Sequence, residues 1–299
     1  MPRSSLFAND EKKAEIRAWF KVFRCKIPGV TESVTFKTSF GTTHALIAGA
    51  VDAPPLILLH GALASSAHAL SEMGDLLRTR RVYALDVIGQ SVMSEDRRLN
   101  LRDDSYAQWL FEAANSLGLD RFALYGVSWG GFVATRAAAL DSARLSHLIL
   151  MVPAGWVGNS AWAGFRDAGW PLMRYKLAPS RPNLVRFVDA IYSTLDEDWL
   201  NYFGDALRCY RFDTRIPPLV KAADVAGVKC PTLAFGAELD SQFPGKPLVD
   251  RVKKLLPDAE VELLEGSKHC PPLTDEFRAW MSQRVGRFLD GGSEVGHTF

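Results

Sequence analysis

The sequence predicts an α/β fold, a mostly parallel sheet with helices on both faces, and three observations carry that prediction. Short apolar runs alternate with amphipathic stretches from Pro55 to Val152, with short connections between them. Those runs are apolar throughout, as in Pro55-Leu-Ile-Leu-Leu59, which is how a strand covered on both faces reads. One run, Phe122 to Val127, passes through Gly126-Val127-Ser128-Trp129-Gly130 into an alanine-rich stretch, 132–140, so that strand, tight turn and helix follow directly.

Each element then has its own justification. Residues 9–23 mix charge with Ile16, Trp19, Phe20 and Phe23 and predict an amphipathic helix. Glu32 to Phe40 and Thr43 to Ala48 predict two strands of a hairpin that turns at Gly41-Thr42. After the Pro55–Leu59 strand comes His60-Gly61-Ala62-Leu63-Ala64-Ser65-Ser66, then a helix over 67–78. Arg81 to Asp86 is a buried strand, and Tyr106 to Leu117 an amphipathic helix stopped by Gly118. Leu145 to Val152 is a further strand.

From Gly155 to about Ala223 the alternation stops. The stretch is dense in aromatics, among them Trp156, Trp162, Phe165, Trp199, Tyr202 and Phe203, and carries Pro171, Pro179, Pro182, Pro217 and Pro218. Helical patches occur, such as 184–195, but no buried strand. It reads as a mostly helical insertion over the carboxyl edge of the sheet; the plainer alternative is a run of core helices whose aromatics only pack. Normal alternation then resumes with a strand at 232–236, a helix at 247–256, a strand at 260–264 and a helix at 275–290 closed by Gly291-Gly292. A frayed tail to Phe299 is expected. The division is 1–154 for the first part of the core, 155–223 for the insertion and 224–299 for the second part.

Composition excludes several classes. The chain has 299 residues, 47% hydrophobic and 23% charged, enough to bury a sizeable core. Lys and Arg number 35 and Asp and Glu 34, for a net charge of +1, with no basic block to bind nucleic acid. No apolar run is long enough to span a bilayer. The first residues lack the apolar core of a signal peptide, so a cytoplasmic protein is expected. Cys25, Cys209, Cys230 and Cys270 are scattered, without metal or redox spacing, and no metal is expected. Cys270 neighbours His269, but adjacent loop residues point apart, which disfavours a Cys–His pair.

The Gly-x-Ser-x-Gly turn is the centre of the chemistry. A hydroxyl lifted clear of the sheet on a strained turn needs flanking residues without bulk, which Gly126 and Gly130 supply. The following helix directs its unpaired N–H groups and positive end at any negative charge forming near Ser128. A serine hydroxyl needs a base. Of the six histidines, His60 ends the strand after Leu59, and His269 lies in a loop, Glu265–Pro272, at the carboxyl end of the last strand, the rim where open α/β sheets place ligands. His60 more plausibly fixes the loop behind it. The base needs an acceptor from the same rim, and Asp240 is chosen, with Glu238 as fallback. Backbone N–H groups of Trp129 and of Ala62, with Leu63 as an alternative, are the candidate donors to an oxyanion.

His60-Gly61-Ala62-Leu63, Asp86-Val-Ile-Gly89, Gly126-Val-Ser-Trp-Gly130, Gly236 with its acidic loop and Gly266-Ser-Lys-His269 together resemble the α/β-hydrolase superfamily, and within it bacterial carboxylesterases. The resemblance implies an eight-stranded sheet, a helical cap over the site and no cofactor. The order Ser128, Asp240, His269 is the order it expects. Such families place the acid three residues after the strand-end glycine; here that position is Leu239, with acids on either side. Serine at the elbow disfavours dehalogenase and epoxide hydrolase chemistry. The expected activity is cleavage of a small apolar ester through an acyl-enzyme. Carbon–carbon bond hydrolysis, acyl transfer and non-catalytic ligand binding on the same fold are the alternatives.

Overall fold

The structure is a computed structural model and describes residues 5–158, 161–211, 213 and 215–292, so the tail beyond Gly292, with His297, lies outside the described residues. The elements in order are α1 (Asp10–Arg24), β1 (Glu32–Thr38), β2 (Gly41–Ala48), β3 (Pro55–Leu59), α2 (Ser66–Ser71), a 3₁₀ turn (Gly74–Arg78), β4 (Arg81–Leu85), α3 (Ser105–Ser116), β5 (Phe122–Val127), α4 (Trp129–Leu140), a second 3₁₀ turn (Ser142–Arg144) and β6 (Leu145–Met151). Between β6 and the next strand lie α5 (Ala161–Gly164), a π-helical turn (Phe165–Gly169), α6 (Trp170–Leu177), α7 (Arg181–Asp189), α8 (Glu197–Cys209) and α9 (Ala222–Val225). β7 (Thr232–Ala237), α10 (Gly245–Leu255), β8 (Glu260–Leu264) and α11 (Asp275–Leu289) complete the chain.

The eight strands form one sheet in the order β1-β2-β4-β3-β5-β6-β7-β8. β2 runs antiparallel to both of its neighbours, and every other pairing is parallel. The continuous apolar runs of β3 and β5 have their explanation in two layers. Leu56, Leu58, Ala123 and Tyr125 face one core with α1, α2, α8 and α11. Ile57, Leu59, Phe122 and Leu124 face the other, with α3, α4 and α10. Period-two alternation persists, but both faces are buried, so polar residues have no side to occupy.

Three expectations are corrected. The hairpin turns at Ser39-Phe40, not at Gly41-Thr42: Thr38 pairs with Gly41, and Gly41 opens β2. The helix expected over 67–78 is α2 plus a 3₁₀ turn, separated at Glu72-Met73, where Met73 leaves helical geometry just before Gly74. The helical patch over 184–195 ends at Asp189 in α7, because the next residues are drawn into tertiary pairing: Cys270 N–H donates to Ile191 O and Ser193 N–H to Cys270 O, both at 2.9 Å. The segment between β6 and β7 is helical as expected, with no sheet strand among its described residues. No helix among the described residues is long and apolar enough to cross a membrane.

Charge is buried beside the antiparallel strand. Asp86, at the end of β4, is fully buried and accepts from the His44 ring at 2.6 Å, from Ser66 N–H at 3.0 Å, from the Ser66 hydroxyl at 2.6 Å and from the Ser91 hydroxyl. Burial alone would raise its carboxyl pKa, but the His44 hydrogen bond and charge and the other donors hold it below the ordinary value. His68, on α2, is buried between Phe23 and Tyr202, at ring distances of 4.0 and 4.2 Å. Burial, with His60 nearby, pushes its pKa well below the ordinary 6.5. His60 is lowered for the same first reason.

The sign of the resulting pH dependence follows from which state takes up the proton. Below the ordinary imidazole value the unfolded chain binds protons at His60 and His68 that the folded chain refuses. Stability is therefore fully present above about 6.5 and declines as the pH falls below it. Melting curves between pH 7 and pH 5 should show Tm falling with acidification, and His68→Gln should flatten that slope.

Candidate active site

β5 ends at Val127 and α4 begins at Trp129, which leaves Ser128 alone in the turn with φ 49° and ψ −108°. A non-glycine residue held there is strained and must be fixed by its surroundings. Ser128 N–H donates to Met151 O at 2.9 Å, and Ser128 O accepts from Phe132 N–H at 3.2 Å and Ala154 N–H at 3.0 Å. The flanks are glycine because backbones meet there. A Cβ on Gly126 would lie 2.4 Å from Gly130 O, and one on Gly130 would lie 2.4 Å from Leu59 O.

The loops after β7 and β8 bring in the partners. His269 Nε2 lies 3.0 Å from Ser128 Oγ, and its Nδ1 lies 2.7 Å from Asp240 Oδ2. The Asp240 side chain is fully buried, and its other oxygen accepts N–H bonds from Gln242 at 2.7 Å and Phe243 at 3.0 Å. An ionised carboxylate only accepts, so the imidazole proton sits on Nδ1 and the Nε2 lone pair faces the serine hydroxyl. Phe243 covers the imidazole edge-on at 5.4 Å.

The choice between the two acids is made by backbone pairing. β7 extends to Ala237, and Glu238 N–H donates to Leu264 O and Leu239 N–H to Ser267 O, at 3.0 and 2.8 Å. This ties the two loops together, turns Leu239 outward, and leaves Glu238 to accept Gly266 N–H at 2.8 Å on the exposed side. Asp240 then turns inward, one residue beyond the usual spacing.

The loop after β3 closes the other side. Gly61 approaches Ser128 so closely that a Cβ there would sit 3.4 Å from the serine Cβ. His60 Nδ1 donates to Gly61 O at 2.7 Å, while its Nε2 accepts Val87 N–H at 2.9 Å. Both ring nitrogens are thus committed, and the lowered pKa keeps the ring neutral. In a trans peptide the C=O and N–H point opposite ways, so with Gly61 O held by the ring, the Ala62 N–H points away from it. Trp129 is the first residue of α4, where an N–H has no intrahelical acceptor.

A cavity of about 850 Å³ opens over Ser128 and His269 and is lined by Ala62, Leu63 and Trp129. Its far walls are mostly apolar and come largely from between β6 and β7, including Phe165, Phe187, Tyr192, Trp199 and Phe203. An ion pair, Arg278 Nε to Glu72 Oε2 at 2.7 Å, lies in the wall, and Trp199 Nε1 donates to the same Glu72 at 3.2 Å. Cys270 also lines it; burial pushes its thiol up to about 12, so it is no thiolate. Among the described residues no group of three or more His, Cys, Asp or Glu side chains is placed to hold a metal ion.

One arrangement was missed by sequence reasoning. Ser33 Oγ lies 2.8 Å from His44 Nε2, whose Nδ1 meets Asp86, so a second Ser–His–Asp contact exists. None of its members lines the cavity, and Ser33 sits in regular strand β1 rather than at a helix start. No spacing signal joins residues 33, 44 and 86; only the β1–β2–β4 pairing does.

The sheet order, the serine on a strand-to-helix turn and the histidine after the last strand define an α/β-hydrolase arrangement. The chain matches the model of the alpha/beta hydrolase family over residues 56–280, and it belongs to that family. A Bacillus subtilis (strain 168) protein named "Uncharacterized carboxylesterase nap" is 34% identical over 284 residues, covering 91% of this chain and 89% of the relative. A second protein of that strain, "Carboxylesterase YbfK", is 25% identical over 274 residues, covering 89% and 90%. The crystal structure of naproxen esterase (carboxylesterase NP) from Bacillus subtilis superposes with a TM-score of 0.80 at 21% identity, covering 93% of this chain and 98% of that one.

The close approach at the turn has a direct test. Gly126→Ala places a methyl against the Gly130 carbonyl, a backbone atom that cannot step aside. A loss of about 2 kcal/mol or more is expected in urea unfolding.

Proposed function

We propose that the protein is a serine hydrolase that cleaves a carboxylic ester through an acyl-enzyme, with Ser128, His269 and Asp240 as its catalytic triad. The observation that carries this reading is the unbroken relay from Ser128 Oγ through the imidazole to Asp240, at 3.0 and 2.7 Å, opening into an apolar cavity. Relatives named as carboxylesterases over nearly the whole chain support it.

Ser128 attacks the ester carbonyl carbon while His269 Nε2 takes the hydroxyl proton, and the carbonyl oxygen becomes an oxyanion. The N–H groups of Trp129 and Ala62 receive that charge, with the positive end of α4 behind Trp129. His269 returns the proton to the departing alcohol. It then deprotonates a water, which releases the acid and frees Ser128. Asp240 holds the Nδ1 proton and steadies the imidazolium in both halves. The helical segment 155–223 acts as the cap, since its aromatic side chains form the wall that an apolar acyl or alcohol group would touch.

Steady-state assays with p-nitrophenyl esters of rising acyl length test the scheme. Ser128→Ala should lower kcat by about 10⁴-fold or more, with the protein still folded. Retained turnover in that variant removes Ser128 from the mechanism. The choice of acid is checked separately in the same assay: Asp240→Asn should cost about 10³- to 10⁴-fold in kcat, while Glu238→Gln should leave it within about twofold.

A further inference from the structure

The loop that carries Ala62 is held from two directions, and one of the holders is Tyr202 on α8. The Tyr202 side chain is fully buried, with ring centroids 4.2 Å from His68, 5.9 Å from Phe23 and 6.1 Å from Trp19. Its hydroxyl donates to the carbonyl oxygen of Leu63. Burial pushes the phenol pKa far above its usual range, so the group stays a neutral donor.

Leu63 needs a holder. Its φ is 58°, a left-handed conformation that a leucine rarely adopts. The peptide unit joining Leu63 to Ala64 is pinned at both ends. Its carbonyl takes the Tyr202 hydroxyl, and its N–H donates to Gly61 O at 3.3 Å. Gly61 O is the atom that His60 also holds. The turn is therefore closed on itself and anchored twice, by His60 from the sheet and by Tyr202 from the segment inserted between β6 and β7. The same helix presents Trp199 and Phe203, three residues before and one after, to the cavity.

We infer that Tyr202 is a positioning residue whose hydroxyl holds Leu63 in the turn that presents the loop's N–H groups to the developing oxyanion, coupling the seating of α8 to catalysis. This rests on the ester-hydrolase reading above. Tyr202 touches no reacting atom. It acts on the transition state, where the oxyanion forms, and not on ground-state binding. Loss of the hydroxyl should therefore lower kcat and leave KM nearly unchanged.

Full-length Tyr202→Phe is compared with the wild type and with Leu207→Ala, a change at a buried α8 residue that does not line the cavity. The expected result is kcat about tenfold lower, the worth of one neutral hydrogen bond, with KM within about twofold. The rate of Ser128 phosphonylation by a fluorophosphonate should fall by the same factor, since that reaction also builds charge on an oxygen in the same hole. Leu207→Ala should lower Tm without changing either rate. Wild-type kcat and labelling in folded Tyr202→Phe overturn the inference, as does a loss confined to KM or one that merely follows Tm. Absence of labelling at Ser128 in the wild type would instead sink the reading of the site itself, which separates the two failures.

Discussion

The whole arrangement depends on a near-contact of backbones at the carboxyl end of the sheet. β3, β5 and the first turn of α4 approach so closely around Ser128 that a methyl on Gly126 or Gly130 has no room. That approach keeps the serine in a strained conformation, puts its hydroxyl above the sheet, and lets the loop after β3 reach its other side. Strain of this kind persists only where the surroundings over-determine it. Here the N–H and C=O groups of Ser128 are tied to β6 and to the chain just beyond it.

The molecule holds two histidine–aspartate pairs of like geometry in unlike surroundings. Both have short Nδ1–carboxylate contacts, 2.7 Å for His269 and 2.6 Å for His44, and both have a serine at Nε2. The difference lies around them. Ser128 has a helix start beside it and a cavity above it, whereas Ser33 is part of a regular edge strand with neither. Asp86 is instead a buried charge, ringed by donors, that joins the start of α2 and the loop after β4 to the antiparallel strand β2. Distances alone do not tell the two sets apart; the helix start and the cavity beside Ser128 do.

The aromatic residues of the segment between β6 and β7 divide by task. Trp156 is fully buried and donates to Thr135 of α4 at 3.0 Å. Trp199 and Tyr202 pack against Phe23 of α1 and His68 of α2, which seats α8 on the core. Phe165 and Phe203 face the cavity, and Trp162 and Trp170 are exposed. Packing and lining are therefore not competing accounts of this region, since α8 does both with residues one to three positions apart.

By itself the sequence determined the alternation of elements, the limits of β3, β5 and β8 and the serine turn, because continuous apolar runs and glycine spacing are local consequences of burial and of backbone crowding. It also placed His269 on the same rim as Ser128, since the end of a strand is a local signal. Tertiary structure alone chose Asp240 over Glu238, because hydrogen bonds between the loops after β7 and β8 set which carboxylate turns inward. It alone ended α7 at Asp189, where the next residues pair with Cys270, and it alone brought Ser33 to His44 and Tyr202 to Leu63. Those contacts join residues 11 and 139 positions apart through sheet register and helix docking, and neither leaves a mark in the spacing of side chains along the chain.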